Sequence, residues 1–361
     1  MAISRTMTPD RPNLLGMTPA VLHEALAAHF SQRGQPSYRA RQIEEWLFRG
    51  DARSFGDMTN LPVSERDALG DSFRLDEPAV DTVSESSDGT VKHLWALQGG
   101  EVVESVLIPT RHRLTLCISS QAGCALRCRF CATGDFGFRR QLRTAEIVAQ
   151  YRDSLRVARE DMGRPASNPI SNVVYMGMGE PLANLDGVIG SLASLHGGFG
   201  LGARRITVST VGLIPGILEL ARRPEPFELA VSLHAPSHEL RLQLMPIEKR
   251  YPLPELFDAL RTYQSYKNRR ISFEYTLIRG VNDDPALAGS LAKLARGLIC
   301  FVNLIPFNPI PSRPEWGPSS AEGIASFSDA LAARGVGNAV RRPRGRDIAA
   351  ACGQLRLSRE S

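Results

Sequence analysis

Three thiols, Cys124, Cys128 and Cys131, stand at the spacing C-x3-C-x2-C inside RLTLCISSQAGCALRCRFCATGD, residues 113–135. The same stretch holds a fourth, Cys117, and the 361-residue chain carries six in all. Thiols clustered this way in a long chain read as metal ligands or catalytic groups rather than as a disulfide framework. Two chemistries are open. A distant histidine could complete a tetrahedral, purely structural zinc site. Alternatively the fourth ligand is missing by design, and a 4Fe-4S cluster on three thiolates keeps one iron free for a ligand. MGMGEP, residues 176–181, suits the second reading: two glycines let backbone approach a ligand closely, and Glu180 can accept from an ammonium or hydroxyl group.

These groups need elements that bring them together. Residues 1–80 read as helical, with apolar positions at helical spacing in TPAVLHEALAAHFSQRG and QPSYRARQIEEWLFRG and a third helix in LPVSERDALGDSF. Period-2 runs follow in residues 81–112, VKHLWALQ and EVVESVLIP around a Gly99-Gly100 turn. RLTLCIS then opens a region, 113–350, in which strands alternate with helices: helix 144–162, strand 172–176, helix 185–195, strand 206–210, helix 214–222 and strand 228–234. The pattern continues with helix 253–265, strand 271–278, helix 285–296, strand 299–305, helix 320–334 and a strand near 336–341. Such alternation predicts an α/β fold with parallel strands, a full or partial barrel or an open wound sheet. Residues 351–361 form a tail. Cys117 with the cysteine loop, MGMGEP, STVG, SLHAP and NLIPFNP all fall at or just past the carboxyl ends of strands, where such folds gather their active sites on one rim.

Composition narrows the class. The amino terminus lacks the apolar core of a secretory signal and no run is long enough to span a membrane, so a cytoplasmic protein in a reducing compartment is expected. Net charge is +5, but residues 111–156 carry nine arginines against Asp135, Glu146 and Asp153, and VRRPRGRD at 340–347 is a second basic segment. Clustering beside the cysteines points to a polyanion partner. No exposed apolar helix stripe suggests an interface, so a monomer is expected. Cys300, in the apolar run ICFVN, reads as a core residue.

The C-x3-C-x2-C loop, with Phe130 before its last cysteine, resembles the signature of radical S-adenosylmethionine (SAM) enzymes. MGMGEP resembles that superfamily's glycine-rich motif. The resemblance implies a partial (β/α)6 TIM-like barrel, a 4Fe-4S cluster on Cys124, Cys128 and Cys131, and SAM as co-substrate. It also implies SAM contacts at Gly179, Glu180, Ser209, Ser232, Leu233, His234 and Asn308. CISSQAGC, CRFCATG, MGMGEPL, SLHAP, LMPI, GVND, NLIPFNP and AACGQL together resemble the RlmN/Cfr family of RNA methyltransferases, from about Glu104 to Leu355. This implies methylation of an adenine of 23S ribosomal RNA at the peptidyl transferase centre, in some members also of an adenine beside the tRNA anticodon. Two SAM molecules are consumed per methyl group, with electrons from a donor such as flavodoxin or ferredoxin. Three roles follow from the same resemblance: Cys352 as the S-methylcysteine carrier, Cys117 as the thiol that resolves it through a transient disulfide, and Glu104 as proton acceptor. NLIPFNP and MGMGEPL look like the branch acting at carbon 2. CATGD, STVGLIPG and LMPIEKRYPL have the flavour of the branch acting at carbon 8, which is the nearest alternative. From other classes, an activase generating a radical on a partner protein would leave Cys117 and Cys352 idle. A zinc-stabilised RNA-binding module would leave MGMGEP and AACGQL idle.

Overall fold

The computed structural model describes residues 11–50, 52–163 and 169–355. Its amino-terminal part packs α1 (Pro19–Gln32), α2 (Tyr38–Glu45) and α3 (Val63–Ser72) around Leu22, Leu26, Phe30, Ile43 and Leu69. Pro19 opens α1, where a missing N–H costs nothing because the first helical N–H groups have no partner anyway. This small core is not closed on itself. Ala145 and Val148, from α4 (Thr144–Glu160), belong to it, and buried Arg152 of the same helix reaches Glu77 and the Ala52 carbonyl.

In chain order the strands are β1 (Ala79–Glu85), β2 (Val91–Ala96), β3 (Val102–Pro109), β4 (Leu114–Cys117), a separate hairpin of β5 (Gln121–Gly123) and β6 (Phe138–Gln141), then β7 (Asn172–Tyr175), β8 (Ile206–Thr210), β9 (Glu228–Ser232), β10 (Ile271–Leu277), β11 (Cys300–Pro306) and β12 (Asn338–Val340). Ten of them form one sheet in the order β1-β2-β3-β4-β7-β8-β9-β10-β11-β12. The first three neighbour pairs are antiparallel and every pair from β4 onward is parallel. Six substantial parallel strands, β4 to β11, thus make the opened barrel, with short β12 extending one end and a β1–β3 meander the other. Val173, Ile206, Val208, Leu229, Val231, Phe273 and Val302 are buried, as expected for parallel strands covered by helices.

The covering helices are α4, α5 (Leu185–Ala193), α6 (Ile214–Arg222), α8 (Leu253–Lys267), α9 (Pro285–Leu294) and α10 (Ala321–Ala332), with a short α7 (His238–Leu244) between α6 and α8 in the chain. Asp284 and Ser320 cap α9 and α10 by accepting from the Ala286 and Gly323 N–H groups, which fixes where these helices start after their strands. The alternation expected from the sequence is present. Four elements lie outside that expectation: β1, whose AVDTVSE is largely exposed and gives a weak period-2 signal, α7, only two turns long, and the short β5 and β6 of the hairpin beside the cysteine loop. The strand expected to run to residue 234 ends at Ser232, because His234 adopts a left-handed φ of 55° and turns the chain.

Candidate active site

The site forms where β4 and β7 release their chains on one rim. Beyond Cys117, the Ile118 carbonyl accepts from Gly177 N–H at 3.0 Å and Ser120 N–H donates to the Met178 carbonyl at 2.9 Å. The Ser119 hydroxyl joins the crossing by accepting from Met178 N–H at 2.8 Å. Contact here is so close that a Cβ at Gly177 would lie 2.6 Å from the Ile118 oxygen, and one at Gly179 2.4 Å from Gln121 Cβ. Gly179 also has φ of 95°. The glycines of MGMGEP are therefore demanded by the chain's own crossing, a reason nearer than the ligand approach expected of them.

Glu180 is buried and held rigidly. Its two oxygens accept from Leu182 N–H at 3.0 Å and Val211 N–H at 2.9 Å, while its own N–H donates to Gln121 at 2.7 Å. Burial pushes its carboxyl up to about 7, against the pull of the Val211 N–H and its other hydrogen-bond donors. A fixed carboxyl of that kind is suited to an incoming ammonium, which would supply the missing charge.

The cysteine loop closes over the β5–β6 hairpin through Cys124 N–H to the Gly137 carbonyl, 3.0 Å, and rests on α7 through Arg129 N–H to the Leu244 carbonyl, 2.9 Å. Burial raises the Cys124 thiol to about 12 and lifts Cys128 and Cys131 as well. The three influence one another, and at Cys128 buried Arg241 opposes the rise. Arg241 is itself paired with Glu248 and donates to the Val211 carbonyl. Three thiols within eight positions, on a loop tied to the β5–β6 hairpin and to α7, are a donor set that fits an iron–sulfur cluster with an open iron.

The remaining SAM candidates border the same rim. Ser209 is buried near the end of β8, and half-buried Ser232 ends β9. Leu233 is buried and donates its N–H to the Glu274 carbonyl at 3.0 Å. His234 lies 4.2 Å from the Phe130 ring, and its Nδ1 accepts from Thr276 N–H at 2.9 Å. Burial pushes its pKa down to about 3, so the ring is neutral with its proton on Nε2 and offers a donor there. Asn308 is engaged at both ends: its Nδ2 donates to the Cys352 carbonyl at 3.0 Å and its Oδ1 accepts from Arg346 at 2.9 Å. It braces the tail.

That tail carries Cys352 onto the cysteine loop. Ala132 N–H donates to the Gly353 carbonyl at 2.8 Å, and the Thr133 hydroxyl to the Leu355 carbonyl at 2.9 Å. Cys352 is exposed, although the protein around its sulfur and the nearby Glu274 still raise its thiol. Cys117 is buried; burial raises its thiol most, and the next contribution comes from Cys352. The two cysteines, 235 positions apart in the chain, are electrostatic neighbours. Glu104, on β3, is also buried, and Lys92 Nζ on β2 lies 3.0 Å from its Oε1.

Three contributors are not marked by any sequence motif. Lys92 could have been suspected, since a lysine in the apolar run VKHLWA must find a partner when the strand is buried. Arg241, which pairs with Glu248 of LMPIEKRYPL, and Glu274 beside Cys352 give no local signal. An open groove of about 570 Å³ nearby, bordered by Glu239, Asp283 and Asp284, holds none of the expected residues.

A strand-end cysteine loop with this donor set, facing a glycine-rich crossing on a partial parallel barrel, defines a radical SAM enzyme, and residues 118–288 match the model of the radical SAM superfamily. Residues 12–75 match the model described as the ribosomal RNA large subunit methyltransferase N-terminal domain. The chain is 48% identical over 96% of its length to a probable dual-specificity RNA methyltransferase RlmN of Gemmatimonas aurantiaca, covering 94% of that protein. To the similarly named protein of Gloeobacter violaceus it is 44% identical over 92% of its length, covering 93% of that protein. A crystal structure of a radical SAM methyltransferase from Sphaerobacter thermophilus superimposes with a TM-score of 0.90 at 46% identity, over 96% of this chain and 100% of that one. The chain belongs to the RlmN family of radical SAM RNA methyltransferases. Membership implies a 4Fe-4S cluster and SAM as cofactors and RNA as substrate, and it sets aside the zinc module and the protein-activating enzyme. No helix among the described residues is long and apolar enough to cross a membrane.

Proposed function

We propose that the protein methylates carbon 2 of an adenine in 23S ribosomal RNA, at the peptidyl transferase centre, with an adenine beside the tRNA anticodon as second substrate. Carbon 2 lies between two ring nitrogens and is too electron-poor to attack the SAM methyl group directly, so a radical route is required. When bound on Cys124, Cys128 and Cys131, the cluster supplies the electron that cleaves SAM to a 5′-deoxyadenosyl radical. Gly179, Glu180, Ser209, Ser232, Leu233, His234 and Asn308 border the space assigned to SAM; Glu180 faces its ammonium, and Asn308 acts by holding the Cys352 backbone.

The observation that carries the reading is the pairing of buried Cys117 with exposed Cys352 beside the cysteine loop. Cys352 carries the methyl group as a thioether, is joined to the base through that carbon, and needs a second sulfur for release. Cys117 attacks the Cys352 sulfur; the sulfur–carbon bond breaks, the carbon leaves as a stabilised enamine, and a Cys117–Cys352 disulfide remains for cellular thiols to reduce. Glu104 accepts the ring proton, and Lys92, with its Nζ 3.0 Å from the Glu104 Oε1, orients the carboxyl group. Two SAM molecules are consumed per methyl group, and a flavodoxin- or ferredoxin-type donor supplies electrons. Residues 1–80 are assigned to RNA docking, 81–112 to a strand extension, 113–350 to the barrel and 351–361 to the methyl-carrying tail. The enzyme works as a cytoplasmic monomer.

Mass spectrometry of nucleosides from treated ribosomal RNA tests this. 2-Methyladenosine is expected. 8-Methyladenosine would transfer the protein to the carbon-8 branch, and methylation by a Cys352→Ala variant would overturn the carrier role.

A further inference from the structure

Most arginines near the cysteine loop are committed to the fold. Arg140 binds Glu101 and Glu146, Arg143 binds Glu146, and Arg152 binds Glu77. Arg127, Arg129 and Arg139 differ: all are exposed, and none has a side-chain ion pair or hydrogen bond with a described residue. Between and beside them stand Phe136 and Phe138, 38% and 43% exposed, with Gly137 turning the chain between the two. Leaving two phenylalanine rings in water is unfavourable, and nothing in the fold requires it.

The group is held firmly. Phe138 is the first residue of β6 and pairs with Gly123, next to Cys124, whose N–H is bonded to the Gly137 carbonyl. A Cβ at Gly123 would lie 1.8 Å from that carbonyl, so backbone contact fixes the hairpin to the cysteine loop. Arg140 then ties β6 to the β2–β3 turn through Glu101 and the Gln98 carbonyl, 3.1 Å. The exposed aromatic residues are thus carried on a hairpin fixed to the cysteine loop.

We infer that Phe136, Phe138 and the guanidiniums of Arg127, Arg129 and Arg139 form a platform for unpaired RNA, on which the bases flanking the target adenine stack while their phosphates meet the arginines. The inference rests on the RNA methylation proposed above and deepens it. A base reacting at a ring carbon must leave its stack, and its neighbours lose stacking when it does. Exposed aromatic faces restore it, and free arginines supply the phosphate contacts that aromatic rings cannot. Asp135 is the one carboxylate in the loop, against three free guanidiniums, so the patch is electropositive. An acidic redox protein has the same charge complementarity, but it gains nothing specific from two exposed aromatic rings.

The test uses the full-length, cluster-loaded enzyme and an RNA stem-loop with the target adenine unpaired and 2-aminopurine as its 3′ neighbour. Binding to the parent should quench the 2-aminopurine emission. Phe138→Ala should abolish the quench and weaken RNA binding roughly tenfold, a typical value for one stacked base, with Phe138→Trp restoring both. Arg139→Gln should lower the slope of log affinity against log salt by about 0.7, the value for one phosphate contact to a single strand. An iron-to-protein ratio equal to the parent's establishes that each variant is folded and loaded; Phe136→Ala, at a residue outside the strands, offers a second route should Phe138→Ala fail that check. If the parent methylates the stem-loop but neither phenylalanine variant changes quench or affinity, this inference falls and the proposed function stands. It falls equally if the variants slow cluster reduction by an acidic flavoprotein and leave RNA binding intact. If the parent methylates no adenine in the probe or in ribosomal RNA, both fall.

Discussion

Lys92 and Glu104 face each other inside the protein at 3.0 Å, both nearly excluded from water. Removing one member of a buried pair leaves the other charge uncompensated, at a cost of about 3–5 kcal/mol. Lys92→Met keeps the length of the side chain and should lower unfolding stability by about that amount, read from a urea titration, together with a large loss of methylation. An unchanged titration would mean that the Glu104 carboxyl is neutral and the pair is not ionic. At Cys117 the opposite pattern is expected. Cys117→Ala deletes a small buried group whose loss costs little, but it removes the sulfur proposed to free the product, so a covalent protein–RNA adduct through Cys352 should accumulate on denaturing gels. Normal turnover would end the resolving role. Cys124, Cys128 and Cys131 stood out in the sequence by their regular spacing, whereas Cys117 and Cys352 were singled out only by the family resemblance. Lys92 gave a weaker signal, since a lysine in an apolar strand implies that it needs a partner but does not name Glu104 as that partner.

Between elements, the β1–β2 turn grips the segment that leads to Cys352. Asp347 accepts from the Ser86 hydroxyl at 2.6 Å and from Ser87 N–H at 3.0 Å, and Asp88 accepts from Gly345 N–H at 3.1 Å. Those bonds, the Ser86 hydroxyl first, hold the Asp347 carboxyl down at about 2. The folded value lies below the unfolded value of about 3.8, so the contribution is fully present above pH 4 and fades only as pH falls towards 2. Asp347 should therefore add no step of its own between pH 5 and 8 to the oxidation of Cys117 with Cys352 by diamide. Asp347→Ala should slow that closure severalfold, because the tail no longer starts from a fixed point; equal rates would show that Asn308 and the cysteine loop suffice to place it. The sequence displayed most barrel strands and helices because buried strands and amphipathic helices differ in period. It hid this grip, which joins residues 261 positions apart through polar atoms that carry no period at all.

Across the whole molecule, the helical amino-terminal unit and the barrel share α4. Ala145 and Val148 pack into the helical core while Ile147 and Tyr151 face the barrel. Removing residues 1–75 should therefore expose apolar surface on α4 and leave Arg152 without its Ala52 partner. The truncated barrel is expected to aggregate, as judged by size-exclusion chromatography, even though every expected site residue is retained. A monodisperse fragment would show that the two units fold independently. Sequence periodicity marked both units but not their joint, because one helix presents apolar residues to two cores and looks like an ordinary buried helix. The docking of Gly353 and Leu355 on Ala132 and Thr133 has a further consequence for how the protein is made. Translation runs from the amino terminus, so the cysteine loop leaves the ribosome more than 200 residues before the segment that covers it. During that interval the loop lies open on its future covered side. The loop is covered only after strands β7 to β12 have been made, so this contact comes after the barrel and not before it.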